Sequence, residues 1–425
     1  MLTGDHIAIT LFEDQLIRNY FSGGQDSLIC RIVQKRRVTF FTSRENQNLV
    51  NKLVKDLGIA HATVCEFDAT KGGLFYKILS FLLRWSIRSG TVYVSIQRDK
   101  SFRFIARRVV YIFTKFFPYD KNLIRYLFLH SLSRRKLAKA FHLNASDLFS
   151  IESIFVTSLT NLYQDIPVAM YFRRCGRRVV GTVRSWDNLT SHGALHFVPD
   201  EFLSHSPWIS HAALEFQKIS PDLLRSWVSP SHENRFLSDG INRAKTGSKK
   251  RIRVLYASMG LETNPDDQNM INWICRAWTD LPKNFELTIL QHPKFILWPE
   301  KLNERISNIR FDYSTSDLRD YYNFLLSHDL VIGGGTSVIL DSTFAKIPIV
   351  LTKFEIVSQD YWKSHLRYFD HLDHTKTLFN MGNYVIVESQ SQLLATILKQ
   401  SYRVPKLAAR DFFLWSEASD TLNLR

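Results

Sequence analysis

Three glycines followed by two hydroxyl residues, Gly333-Gly334-Gly335-Thr336-Ser337, stand between a short apolar run at 330–332 and a stretch at 336–345 whose apolar residues recur at helical spacing. The pattern predicts a strand, a tight loop and a helix start. Such a junction gathers bare backbone N–H groups and the positive end of the helix dipole, and Thr336 and Ser337 add hydroxyl donors, so its natural ligand is a phosphate. The stretch has neither the Gly-Lys-Ser/Thr ending of a P-loop nor the spacing of a dinucleotide fingerprint. Close packing of a helix on a sheet is the other reason a glycine-rich turn occurs there. Asp341 follows one helical turn after Ser337, and a proline-led strand, 349–351, comes next.

Two further strand ends carry groups of the same kind. A strand at 253–257 runs into Ser258-Met259-Gly260, and one at 286–290 ends in Gln291-His292-Pro293. In a doubly wound sheet the ends bearing Ser258, His292 and the Gly333 loop converge on one crevice. Nearer the start of the chain, Glu13 and Asp14 follow a first strand at 6–12, again at a carboxyl end. A polar run after the strand at 178–184, Ser185-Trp-Asp-Asn-Leu-Thr-Ser-His-Gly193, is richer in hydroxyls than a capped turn needs, although a capped loop supporting the sheet edge is the alternative.

The elements that must position these groups alternate. Strands at 38–42 and 62–67 flank a helix at about 46–57, a strand at 149–157 precedes a helix at 161–174, and a helix begins near Asp266 and Asp267 and runs through Trp278. Alternation of this kind predicts parallel sheets. Residues 384–387 close the second sheet, residues 409–415 form a last helix, and Glu355, Tyr361, Trp362, Tyr368 and Phe369 fall in a loop or helix at the cleft margin. Residues 229–251 are polar and charged with little apolar periodicity, which sets the expected boundaries: a first domain at 1–235, a linker at 236–250 and a second domain at 251–425.

With 425 residues the chain is long enough for two ordinary domains, and 45% hydrophobic with 22% charged residues is a globular composition. The net charge of +15 calls for an acidic partner. Much of the basic excess lies at 73–140 among aromatics. A helix at 74–88 would put Lys77, Ser80, Arg84 and Arg88 on one face and Phe75, Ile78, Leu79, Leu82 and Leu83 on the other, and 102–117 repeats the pattern with Arg103, Arg107, Arg108 and Lys115. These suit contact with an anionic membrane surface as well as ordinary packing. Nucleic acid is disfavoured, since no helix-turn-helix, zinc-finger or RNP-type signature is present. The four cysteines are scattered singly, giving neither a disulfide framework nor a zinc spacing. With no secretory signal and no run of about 18 apolar residues, a cytoplasmic protein is expected, peripheral on the inner face of the plasma membrane if it meets a membrane at all.

The glycine and hydroxyl loop, the acidic residue on its helix and the proline-led strand together resemble the donor-binding segment of GT-B glycosyltransferases. Asp341 stands where that family usually has Glu, and Lys346 where it often has Gly. The Trp-Asp-Asn-Leu-Thr-Ser segment is similar to one in bacterial surface and capsular polysaccharide glycosyltransferase-like proteins, with His192 in place of the usual Lys. A strand-end His-Pro followed by a Thr/Ser-Ser pair resembles enzymes that use cytidine-activated donors, although the acidic-acidic-glycine motif of sialyltransferases has only Glu13-Asp14-Gln15 as its nearest counterpart.

The resemblance implies an α/β fold of two Rossmann-like domains facing across a cleft, and metal-independent transfer of a sugar from a nucleotide-activated donor to a glycan or lipid-linked acceptor, without a cofactor. It assigns His292, Thr336 and Ser337 to the donor phosphate, with Ser258, Gly260 and Gly333 to Gly335 around it and Asp341 near the nucleoside. Arg184, Asn188 and Thr190 fall to the acceptor and Asp187 or Asp14 to the base. A polyol-phosphate transferase, a nucleotide-sugar 2-epimerase and a non-catalytic membrane-surface assembly protein are the alternatives.

Overall fold

The computed structural model describes residues 5–33, 36–98, 102–116, 121–231, 251–293, 295–300, 304–311 and 318–415. It contains two compact units. One comprises Met1–Val92, Asp99–Ser231 and Phe413–Arg425, the other Tyr93–Arg98 and His232–Phe412. The linker expected at 236–250 lies outside the described residues.

The first unit is built on seven strands: β1 (His6–Thr10), β2 (Arg37–Thr42), β3 (Ala62–Glu66), β4 (Ser153–Val156), β5 (Arg178–Gly181), β6 (Glu201–Ser204) and β7 (Leu224–Ser226). Their order is β3-β2-β1-β4-β5-β6-β7 and every pairing is parallel. The second unit has β8 (Ile252–Ala257), β9 (Phe285–Leu290), β10 (Ile306–Ile309), β11 (Leu330–Gly333), β12 (Ile349–Thr352) and β13 (Val385–Val387) in the order β10-β9-β8-β11-β12-β13, again all parallel. Both units therefore carry the doubly wound, Rossmann-like order, with its reversal between β1 and β4 in one and between β8 and β11 in the other. The α/β class expected from the sequence is present twice.

Sequence explains the central strands simply. All five residues of β1 and all four of β11 and β12 are buried, and such strands, covered by helices on both faces, read as continuous apolar runs. Each unit has its own core. Ile7, Ile9, Val38, Phe40, Phe155 and Trp227 belong to the first, and Val254, Tyr256, Ile271, Trp278, Ile289 and Ile332 to the second.

Two sequence expectations are corrected in the β3–β4 crossover. The strand expected at 149–157 is present as the shorter β4, while positions 149 and 150 end a helix, Ala145–Ser150, which the Asn144 side chain starts by accepting the Asp147 N–H at 2.8 Å. The helix expected at 74–88 stops at Arg84, and its inward face is Tyr76, Leu79, Ser80 and Leu83. Ser80, expected on the polar face, points inward because its hydroxyl meets the His196 ring at 2.9 Å, whereas Phe75 and Ile78 of the apolar face are exposed. Among the described residues no helix is long and apolar enough to cross a membrane.

Candidate functional site

The β8–β11 reversal assembles the residues singled out above. Past β8, Gly260 has φ +76°, and a Cβ there would lie 2.7 Å from the Phe295 ring and 3.1 Å from the His292 imidazole. Glycine is thus required both by backbone sign and by close approach. At the end of β11, a Cβ on Gly333 would meet the Ala257 carbonyl at 3.1 Å, and past it one on Gly334 would meet the Met259 sulfur at 2.5 Å and one on Gly335 the Tyr368 ring at 2.3 Å. The packing reason for the glycines therefore holds, and it has a consequence: the loops of β8, β9 and β11 are pressed together into one surface.

Asp267 fixes the β8 loop. Its carboxylate is fully buried and accepts from the Tyr256 hydroxyl at 2.7 Å, the Ser258 hydroxyl at 2.6 Å and the Gly260 N–H at 2.8 Å. The Ser258 hydroxyl is thereby turned to a neighbour and Ser258 serves the loop's shape. Burial raises the Asp267 pKa, against the opposing pull of the donors from Ser258 and Tyr256.

Thr336 is the N-cap of the helix Ser337–Phe344, with extended φ −100° and ψ 161°, but its side chain makes no capping bond. Its Oγ1 is enclosed and has no hydrogen-bond partner. Ser337 is exposed on the first turn, where the Ile339 N–H donates to the Thr336 carbonyl at 3.1 Å and the N–H groups of Ser337 and Val338 precede any acceptor of the helix. Asp341 is buried and accepts from the Tyr321 hydroxyl at 2.7 Å.

Sequence reasoning missed His365. Only 1% exposed, it lies with Cδ2 3.4 Å from the Cβ position of Gly334. Its Nε2–H donates to the Thr352 carbonyl at 3.0 Å, which leaves Nδ1 as the acceptor, and Nδ1 has no partner. Burial lowers its pKa, so the ring is held toward the neutral form. Glu355, just past β12, likewise has an enclosed Oε1 without a partner while its other oxygen accepts the Gln359 N–H at 3.1 Å. An isolated His in irregular chain carries no local signal.

The first unit treats its own reversal differently. The Asp165 carboxyl accepts the Thr10 hydroxyl there and is fully buried, with its pKa raised well above the usual range by burial. Asp14 is exposed at the start of the helix Asp14–Phe21, and Glu13 pairs with Arg184.

The hydroxyl-rich segment at 185–193 turns inward. Asn188 is 1% exposed and its Oδ1 accepts the Ser185 N–H at 2.9 Å; Thr190 is fully buried, donating to the Asp187 carbonyl at 2.9 Å and accepting from Ser89. The acceptor contacts expected of Asn188 and Thr190 are therefore corrected to a supporting role, because both polar groups are satisfied inside the fold. Asp187 accepts from the Ser191 hydroxyl at 2.9 Å. Elsewhere, Glu66, Asp68 and His142 bring one ligand atom each within 4.8 Å of one another and could hold a cation, a grouping made by the isolated bridge of Phe67 with Phe141, where the His142 N–H donates to the Glu66 carbonyl at 3.0 Å.

No protein-family model and no curated protein matches the sequence. Among solved structures the chain is similar to MnaA of S. aureus with UDP (7% identity, 97% of this chain and 91% of that one, TM-score 0.49). It is similar also to the UDP-GlcNAc 2-epimerase of Methanocaldococcus jannaschii (9%, 94% and 94%, 0.46) and to the spinosyn rhamnosyltransferase SpnG (14%, 99% and 91%, 0.43).

Proposed function

We propose that the second unit binds the diphosphate of a nucleotide-activated sugar at the β8–β11 reversal, and that the protein is a GT-B glycosyltransferase moving that sugar to a glycan or lipid-linked acceptor of cell-surface polysaccharide. The observation that carries this reading is the packing of the β8 loop, where Gly260 lies against His292, on the Gly333 to Gly335 loop through Ala257 and Met259, at the first turn of the helix Ser337–Phe344, whose enclosed Thr336 hydroxyl is unpartnered. A phosphate would take the helix-terminal N–H groups and both hydroxyls, and the departing phosphate would be neutralised without any demand on a cofactor.

The acceptor hydroxyl must lose a proton. Of the two carboxylates considered for that role, Asp14 is exposed at a strand end, whereas Asp187 is engaged by Ser191. Asp14 is therefore the better candidate base. Asp14→Asn should lower kcat about a hundredfold with little change in donor affinity, measured as acceptor-dependent release of the nucleoside phosphate.

The test of the binding step is thermal unfolding against UDP, GDP, CDP, CMP and dTDP. A nucleotide at about 100 times its Kd stabilises the folded chain by roughly 2.7 kcal/mol. Selective stabilisation by one of them is expected, with its affinity falling about thirtyfold in His292→Ala through loss of a charge-assisted contact. If none of the five stabilises the chain, the nucleotide reading fails and a non-catalytic surface protein takes its place. Turnover of the donor without any acceptor, giving free nucleotide and an epimerised sugar, would replace transferase by 2-epimerase; release of a nucleoside monophosphate from a cytidine diphosphate polyol would make it a polyol-phosphate transferase.

A further inference from the structure

A cavity in the first unit is of another kind. It measures about 370 Å³ and lies against the helix Leu74–Arg84 and the helix Phe102–Phe116. Four cations line it, Lys71, Lys77, Arg84 and Arg107, and none of the described residues lining it is a carboxylate. Trp85 holds two of them in place: the Arg107 guanidinium sits 4.9 Å and that of Arg84 5.6 Å from the indole centre. A further ammonium, Lys136 Nζ, donates to the Lys71 carbonyl at 2.8 Å. Desolvation, and after it the like charge of Arg107, lowers the Arg84 pKa.

The helices that wall this cavity show apolar side chains to solvent. Leu74, Phe75 and Ile78 are exposed on the first, and Ile105, Val109, Ile112 and Phe113 on the second, where 105, 109 and 112 fall on one stripe. Surface stripes of this kind mark a site of association. A cationic cup beside exposed aliphatic side chains fits a charged head on a hydrocarbon body. Of the lining aromatics Tyr76 and Trp85 are buried at 1% and 6% exposure and Tyr163 is exposed, so it is the aliphatic stripe beside the cup, which a nucleic acid would leave uncovered, that favours a lipid.

We infer that this cavity binds the phosphate head of an anionic membrane lipid, with the two helices lying in the bilayer surface. The binding site stands independently of the nucleotide reading; that it delivers a lipid-phosphate-linked acceptor for sugar transfer rests on that reading.

The experiment is sedimentation of the full chain with vesicles of phosphatidylcholine alone and of phosphatidylcholine containing phosphatidic acid, with inorganic pyrophosphate titrated separately. Binding is expected only to the vesicles containing phosphatidic acid. Arg84→Gln with Arg107→Gln should weaken it about thirtyfold, and Ile105→Ser with Val109→Ser, exposed positions that leave the fold intact, should weaken vesicle binding but leave pyrophosphate binding unchanged. Equal vesicle binding by the double arginine variant overturns the proposal. Pyrophosphate binding without vesicle binding, or an unaffected Ile105/Val109 variant, assigns the cavity to a free phosphate compound instead. Displacement from vesicles by a single-stranded oligonucleotide at lower concentration than soluble phosphatidic acid overturns it in favour of nucleic acid. Neither variant should alter the nucleotide-dependent thermal shift, so the two readings fail separately.

Discussion

Alanine at position 193 is expected to lower the stability of the first unit by about 4 kcal/mol, the sum of a left-handed backbone penalty and a steric overlap. Gly193 has φ +85°, and a Cβ there would lie 2.0 Å from the Arg84 carbonyl oxygen and 2.6 Å from its carbonyl carbon. That neighbour is backbone and has nowhere to go: the Ala194 N–H donates to the Leu83 carbonyl at 3.1 Å, and the Gly193 carbonyl accepts from Gln217 Nε2 at 2.9 Å. Moving the loop away breaks both bonds. Gly176 is the control, with φ +71° and nothing within 4 Å of its Cβ position. Gly176→Ala should lose only the backbone component, about 1 kcal/mol. Urea unfolding of the two variants measures the difference, and equal losses would refute the steric account.

Asp267→Ala should cost about 4 kcal/mol and abolish nucleotide binding, because it strands the Tyr256 hydroxyl, the Ser258 hydroxyl and the Gly260 N–H inside the protein without an acceptor. Asp267→Asn should cost only about 1 kcal/mol. An amide oxygen can replace the carboxylate oxygen that serves Ser258 and Gly260, and the Tyr256 hydroxyl can turn to accept from the amide nitrogen. The pH dependence separates charge from hydrogen bonding. Burial raises the Asp267 pKa, so the folded chain keeps its proton above the pH, about 3.9, at which an unfolded aspartate loses it. This group's contribution to stability accordingly falls as pH rises through that window, and the fall should be missing in Asp267→Asn. Indistinguishable losses in the two variants would mean that the network has no part in holding the loop.

Local order and strand periodicity made the second unit's site legible. Ser258, His292 and the glycine loop each close an apolar run, and a doubly wound sheet brings such ends together whatever the intervening chain does. His365 was illegible because it lies outside any periodic segment and reaches Gly334 through the path of the chain after β12. Asp267 read only as a helix start; its role as acceptor for three donors depends on Tyr256 and Gly260 facing it. Asn188 and Thr190 misled for a chemical reason: a buried loop that must satisfy its own polar groups uses the same residue types as a loop that presents them to a ligand. Ser80 likewise looked polar and outward until His196, far away in sequence, supplied its partner.

The contacts that force glycine at 334 and 335 bear also on how fast a ligand is captured. Met259, His365 and Tyr368 already press the loop into its final form, so the entropy of ordering it is settled during folding and none is left for the encounter. Association of a nucleotide with the second unit should then be a single exponential whose rate rises linearly with ligand concentration, without the plateau that a slow loop closure would impose. Differences in affinity between nucleotides would appear in their residence times.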